Sequence, residues 1–274
     1  SAFSRFLKAI VLYRKYQPDI IFACDKPSTF IAFFLERFFG VKYVVMGHGS
    51  EFLNYSRMYS MALRNSEKIF LNSQLTQHFL EQNYGSIIRE QSTVISLGAD
   101  KDVYGRHVPN LDEKIDELRK RFSISNRTIV LLTVGTVSDR KGQDFVVRAL
   151  SNLFEKHNLD IVYIAAGRVR SHEIEMVAEF LGIADKVIFT GFCDRSLLPA
   201  LYTLSDIYIQ PSRLSDSISE LEGFSISTCE ALMMENAVIV TSETGIKDIV
   251  QDLDIGFVVD PNDEDKLAEL IYGL

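Results

Sequence analysis

What most constrains this chain is a rhythm. Short apolar runs rich in β-branched and aromatic residues recur between longer amphipathic stretches. The runs are DIIFAC (19–24), KYVVMG (42–47), KIFLNS (68–73) and STVISLG (92–98), then TIVLLTVG (128–135), DIVYIAAG (160–167), KVIFTGF (186–192), DIYIQPS (206–212), AVIVTS (237–242) and GFVVD (256–260). Helical patterns fall between the first of them, near 28–39, 56–65 and 73–82. Alternation of this kind predicts parallel βα units, because a parallel strand is reached only by a long crossover. Two series joined by the polar helical stretch LDEKIDELRKRF (111–122) predict two α/β domains, residues 1–108 and 127–274, with a linker helix region at 109–126. At 274 residues and 47% hydrophobic content, each can bury a core of its own.

The formal charge of −8 argues against a nucleic-acid binder, which needs a broad basic face. Cys24, Cys193 and Cys229 are odd in number and sit in apolar surroundings, as reduced core thiols do, which predicts a reducing, cytoplasmic compartment. The longest apolar run, FIAFFL (30–35), is far below the roughly 18 residues of a membrane span, and nothing resembles a signal peptide. Phe30, Phe33, Phe34 and Phe38 have helical spacing and read as a core stripe in preference to a membrane or partner face. Arg5, Lys8, Arg14 and Lys15 read first as a solvated helix face; peripheral contact with an anionic membrane surface is the alternative.

Two stretches carry candidate chemistry. GTVSDRKG (135–142) places Arg140 and Lys141 just before a helix start, where unpaired amides and the helix dipole stabilise an anion. Alone it reads first as a solvated basic turn, with the anion site as the alternative. EGFSISTCE (222–230) sets Glu222 eight positions before Glu230. On one helix they would stand about 12 Å apart at roughly 1.5 Å per residue. That exceeds the roughly 5 to 9.5 Å of a glycosidase pair, so a hydrolytic dyad is disfavoured. If the helix starts near Ser225, Glu222 lies in a loop, Gly223 admits a close backbone approach, and the two carboxylates can serve different parts of one long ligand; taken by itself the spacing reads first as an ordinary helix with a solvated Glu230.

In chain order, KG (141–142), VIFTGF (187–192), PS (211–212), E-G-F then E-A-L (222–232), IVTSETG (239–245) and GFVVDPND (256–263) resemble the donor half of family-four glycosyltransferases. QPDIIFA (17–23), YVVMGHGSE (43–51), FLNSQ (70–74) and VISLGADKDVYG (94–105) resemble the later part of that family's acceptor-side domain, so the resemblance covers nearly the whole chain. It implies a GT-B-like α/β fold, two Rossmann-like domains facing a cleft, with the N-terminal domain incomplete.

The resemblance also implies roles. Lys141, helped by Arg140, grips the donor diphosphate. Glu222 with Gly223, Phe224, Ser225 and Ile226 meets the donor sugar, and Glu230 accepts from the ribose hydroxyls. Gly191, Phe192 and Cys193 border the base, while His48 faces the transferred sugar, so that Glu222, His48 and Lys141 form the catalytic set. The implied activity is retaining, metal-independent transfer from a UDP-sugar or GDP-sugar to a glycan or lipid-linked acceptor; a non-catalytic nucleotide-sugar-binding module is the rival. His78, His107, His157 and His172 have no metal-ligand spacing.

The chain departs from the family pattern in several places. Thr136 stands where many members carry arginine. Ser225 replaces a glycine, as sugar contact or helix cap. Asn236 replaces a glycine and is expected in the left-handed conformation. The stretch RLSDSISEL (213–221) reads as a lid or a solvated loop. The family's opening βα units and closing helices have no counterpart, which leads one to expect a fragment of a longer protein.

Overall fold

The computed structural model describes residues 2–53, 55–105, 107–214 and 221–274. They divide into two compact units, residues 2–97 with 221–224, and residues 98–214 with 225–274.

The first unit runs α1 (Ala2–Tyr16), β1 (Ile20–Ala23), α2 (Lys26–Phe39), β2 (Lys42–Gly47), α3 (Arg57–Asn65), β3 (Lys68–Leu71), α4 (Gln74–Tyr84), α5 (Ser86–Glu90) and β4 (Ser92–Val94). Its strands form a parallel sheet in the order β1-β2-β3-β4. Tyr43, Val45, Ile69 and Leu71 of the sheet are buried with Phe52, Tyr59, Leu63 and Leu80. Each such aliphatic side chain contributes about 1.5–3 kcal/mol by leaving water. Local chemistry sets the start of α2. The Asp25 carboxylate accepts from the Ser28 amide at 2.6 Å while Ser28 Oγ accepts from the Asp25 amide at 3.0 Å, a reciprocal cap, and Gly40 closes the helix in the left-handed region.

Two expectations are corrected here. The phenylalanine stripe is split. Phe30 and Phe33 pack against the core, but Phe34 and Phe38 are 37% and 68% exposed, because the buried line of α2 runs through Thr29, Ala32 and Leu35 and turns the later rings off the sheet. Cys24 is exposed rather than buried, since β1 ends at Ala23 and the chain leaves the sheet there; Cys193 and Cys229 are half-buried. α1 exposes Leu7, Val11 and Leu12 as well as its cations. Among the described residues no helix is long and apolar enough to cross a membrane.

The second unit runs α6 (Leu111–Phe122), β5 (Ile129–Val134), α7 (Gln143–Lys156), β6 (Ile161–Ala166), α8 (Glu173–Phe180), β7 (Val187–Gly191), α9 (Leu198–Leu204), β8 (Ile207–Gln210), α10 (Ile226–Met233), β9 (Ala237–Thr241), α11 (Lys247–Asp252), β10 (Phe257–Val259) and α12 (Glu264–Gly273). Its six parallel strands are ordered β10-β9-β8-β5-β6-β7. Such sheets are covered on both faces, and β8 is accordingly buried at every position. Phe145, Val146, Leu150 and Leu153 of α7 anchor one layer with Leu267 and Ile271 of α12.

The division between units falls earlier than residue 108. Tyr104 is buried edge-on against Tyr202, ring centroids 5.9 Å apart, which ties the segment after residue 97 into the second unit. The expected linker helix, α6, packs on α9 as part of the same unit.

Candidate functional site

The order of the second sheet creates a particular place. From β5 the chain moves outward through β6 and β7, then returns to lay β8 on the other side of β5. Loops leaving the carboxyl ends of β5 and β8 therefore part in opposite directions, and open parallel sheets bind ligands in the crevice so made. Here those loops are fastened together. The amide of Arg213 donates to the carbonyl of Arg140 at 2.9 Å, and Gly142, at φ 68°, lies so close to Pro211 that a Cβ would stand 2.0 Å from its carbonyl oxygen.

The loop after β5 is built around residues 135–142. Lys141 folds back over it, with Nζ 3.8 Å from where a Cβ on Gly135 would stand. The N-cap of α7 is Gly142, which has no side chain to cap the first-turn amides. Asp144 in that first turn would repel an anion, but its Oδ2 is paired with Arg213 at 3.0 Å. Gln143 opens α7 wholly buried; its side-chain amide donates to the Thr136 carbonyl at 3.0 Å and accepts from the Ser138 amide at 3.3 Å, bracing the loop from beneath. A lysine laid over a glycine loop at the head of a helix is an arrangement that suits a phosphate group.

α10 begins where the E-G-F sequence predicts. Ser225 is its N-cap, buried, with Oγ accepting from the Thr228 amide at 3.3 Å, so of the two roles open to it the structure shows the cap. Ile226 follows, exposed. Glu230 lies on the second turn and is half-buried, with Oε2 accepting from the Tyr202 hydroxyl at 2.7 Å. Burial, then the Glu230 charge, pushes the neighbouring Cys229 thiol up to about 11, which keeps it protonated at neutral pH. The left-handed residue after α10 is Glu235, not Asn236. The Asn236 amide is instead buried, donating to the Tyr202 and Ser205 carbonyls at 2.8 and 2.7 Å, and this tie holds α9 to the α10–β9 turn.

Gly191 ends β7 with φ 67°. Phe192 beyond it is 71% exposed under the Arg168 guanidinium, 5.3 Å from its ring centroid, and Cys193 Sγ lies 3.0 Å from Thr190 Oγ1.

In the first unit, His48 stands exposed on the loop after β2. The carboxylate of Glu51 accepts from the amides of His48 at 2.6 Å and Gly49 at 2.9 Å, and the amide of Asn72 donates to the His48 carbonyl at 3.1 Å. The E-G-F loop reaches this place. A Cβ on Gly223 would stand 1.8 Å from the His48 carbonyl oxygen, so only glycine fits, and Phe224 beside it is buried. Glu222 is half-buried beside that contact. His48 and the E-G-F loop thus come together, as do the 135–142 loop and the 211–214 segment. Of the expected lid, residues 215–220 lie outside the described residues.

Glu51, Asn72, Gln143 and Tyr202 were not among the residues singled out from sequence. For Glu51 a signal exists in retrospect, a carboxylate two and three positions after two loop amides; for Gln143 it is a polar residue at the first helical position after Lys-Gly.

Comparisons with known proteins bear on this site. The Mycobacterium tuberculosis (strain H37Rv) GDP-mannose-dependent alpha-(1-6)-phosphatidylinositol monomannoside mannosyltransferase is 32% identical over 159 residues, which cover 58% of this chain and 41% of that protein. An uncharacterised glycosyltransferase of Methanocaldococcus jannaschii is 29% identical over 57% of this chain and 38% of its own length. The matches thus span about two-fifths of these relatives. Among solved structures, Anabaena HepE in complex with UDP and glucose superposes with a TM-score of 0.78 at 22% identity, covering 97% of this chain and 70% of that one. A Rickettsia africae glycosyltransferase gives 0.80 at 23% identity, covering 97% and 69%. At that identity the likeness is one of fold, GT-B-like, with two parallel-sheet α/β units. The family model for glycosyl transferases group 1 matches residues 114–274, from within α6 to the end of the sequence, and the chain belongs to that family.

Proposed function

We propose that the protein acts in a retaining glycosyl transfer, moving a sugar from a nucleoside-diphosphate sugar to an acceptor hydroxyl in glycan, polysaccharide or glycolipid synthesis. The observation that carries this reading is the loop of residues 135–142 at the switch point, where Lys141 folds over Gly135 at the head of α7, whose N-cap is Gly142. Support comes also from family membership and from relatives whose names specify GDP-mannose, UDP or UDP-glucose.

Breaking the bond between the anomeric carbon and the donor phosphate leaves negative charge on the departing diphosphate. Lys141, Arg140 and the first amides of α7 are already in place to receive it, and one preorganised donor of this sort is worth about 10²–10³ in rate. Glu230, oriented by Tyr202, accepts from the ribose hydroxyls. Phe192 and Cys193 border the base. Glu222, Gly223, Phe224, Ser225 and Ile226 meet the sugar, with His48 as its further contact. On the retaining path the acceptor oxygen bonds the anomeric carbon on the face the phosphate leaves, and the acceptor proton passes to the departing phosphate oxygen. No metal ion is assigned a part. We place the reaction in the cytoplasm, with a glycan or lipid-linked acceptor and membrane contact through the cationic α1 as the peripheral element.

The test is donor-dependent release of nucleoside diphosphate in the presence of an acceptor extract, with UDP- and GDP-sugars compared. Release that depends on acceptor and is lost in Glu222→Ala supports transfer. Binding without release in the full-length protein supports the non-catalytic module instead, and failure of any such donor to bind contradicts the reading.

A further inference from the structure

The segment after β8 delivers an arginine to the head of α7. Three contacts pin its backbone: Thr241 Oγ1 donates to the Ser212 carbonyl, the Arg213 amide donates to the Arg140 carbonyl at 2.9 Å, and Glu243 Oε2 accepts from the Leu214 amide at 2.6 Å. So anchored, Arg213 sets Nη1 3.0 Å from Oδ2 of Asp144, the second residue of α7. The two side chains are only 30% and 17% exposed, so their charges are less screened than those of a surface pair. The other carboxylate oxygen, Oδ1, is buried and makes no hydrogen bond among the described residues. Both side chains line a cavity of about 400 Å³, where three acids, Asp139, Asp144 and Glu173, face two arginines, Arg148 and Arg213. Without Arg213 one arginine would stand against three acids, beside the loop that carries Lys141.

We infer that Arg213 is a positioning residue that acts on the donor diphosphate through Asp144: it cancels the acid in the first turn of α7 and so leaves the leading amides and Lys141 to a phosphate. A carboxylate in that turn is drawn to the same partial positive charge that a bound anion uses, and an uncompensated one would repel the anion at short range. Arg213 thus strengthens the site by removing a negative charge, whereas Lys141 does so by adding a positive one. This inference deepens the proposed donor site and rests on the diphosphate lying at the head of α7.

The experiment measures binding of UDP and GDP, and of the free nucleosides uridine and guanosine, to the full chain, to Arg213→Ala, to Asp144→Asn and to the double variant, at low and high salt. Arg213→Ala should weaken diphosphate binding about tenfold, the scale of one poorly screened charge at short range, and leave nucleoside affinity unchanged. The loss should shrink at high salt. Asp144→Asn, which keeps the arginine and removes the acid, should bind the diphosphate at least as tightly as wild type, and the double variant should recover most of what Arg213→Ala loses. Unchanged diphosphate affinity in Arg213→Ala, a loss that the double variant retains in full, or an equal fall in nucleoside affinity overturns the inference and leaves the donor site standing. Should Arg213→Ala fail to fold, Asp144→Asn decides: weaker diphosphate binding than wild type overturns the inference. A wild-type chain that binds neither UDP nor GDP more tightly than the free nucleoside contradicts the donor site itself, and the inference with it.

Discussion

Gly142 lies against Pro211, its Cα so near the proline carbonyl that a Cβ would approach the oxygen to 2.0 Å. This contact fastens the loop after β5 to the segment after β8 and sets the direction in which α7 begins. Gly142→Ala faces both the clash and a left-handed backbone at φ 68°. It should lower stability by more than about 1–3 kcal/mol, read from the urea midpoint at unchanged slope. A wild-type midpoint would show that the loops part easily.

Lys141→Ala removes a full positive charge from the same loop while leaving the backbone geometry intact. Nucleoside-diphosphate affinity should fall about 10- to 100-fold, the range of a charge-assisted hydrogen bond, with unfolding little changed. Isothermal titration at two salt concentrations checks this, since the loss should be smaller at high ionic strength. Lys141→Arg should recover part of the affinity.

Asp25 caps α2 in the first unit, and hydrogen bonds from Ser28, side chain first and amide second, hold its carboxyl below the ordinary value of 3.8. A folded-state value below the unfolded one means stability that is fully present above the unfolded value and lost as pH falls through the folded one. Asp25→Ala should therefore cost about 1 kcal/mol at neutral pH, and the difference from wild type should shrink once the pH drops below 3.8. Denaturant titrations at pH 7 and pH 3 read both numbers.

Asn236→Ala strips the Tyr202 and Ser205 carbonyls of their shared donor. With both groups buried, about 1–3 kcal/mol of stability should go. Because the same tie steadies α9, which carries Tyr202, ribonucleotide affinity should weaken too. Asn236→Gly, which suits a left-handed turn, should not rescue either quantity, since the positive φ belongs to Glu235.

The strands were legible because each is a compact apolar run between polar helical stretches, and a parallel sheet buries such runs on both faces; all ten expected runs contain one. The 135–142 loop and the start of α10 were legible for a local reason, glycine and a capping residue just before a helix. What escaped notice depends on contacts between distant parts of the chain. Tyr202 and Glu230 come from separate segments, and no local periodicity joins a phenol to a carboxylate 28 residues later. Glu51 and Gln143 act on backbone amides and carbonyls, which a sequence does not display. Phe34 and Phe38 misled because helical spacing defines a face without saying how wide a band of it the sheet covers.

The central claim is that one ligand spans the 135–142 loop and Glu230 within the second unit. A crystal structure of the full chain with UDP or GDP, whichever stabilises it more, tests this most directly. The diphosphate should lie on the leading amides of α7 with Lys141 upon it, and both ribose hydroxyls should donate to Glu230. A nucleotide bound elsewhere, or a ribose out of reach of Glu230 while Tyr202 keeps its present bond, would contradict it.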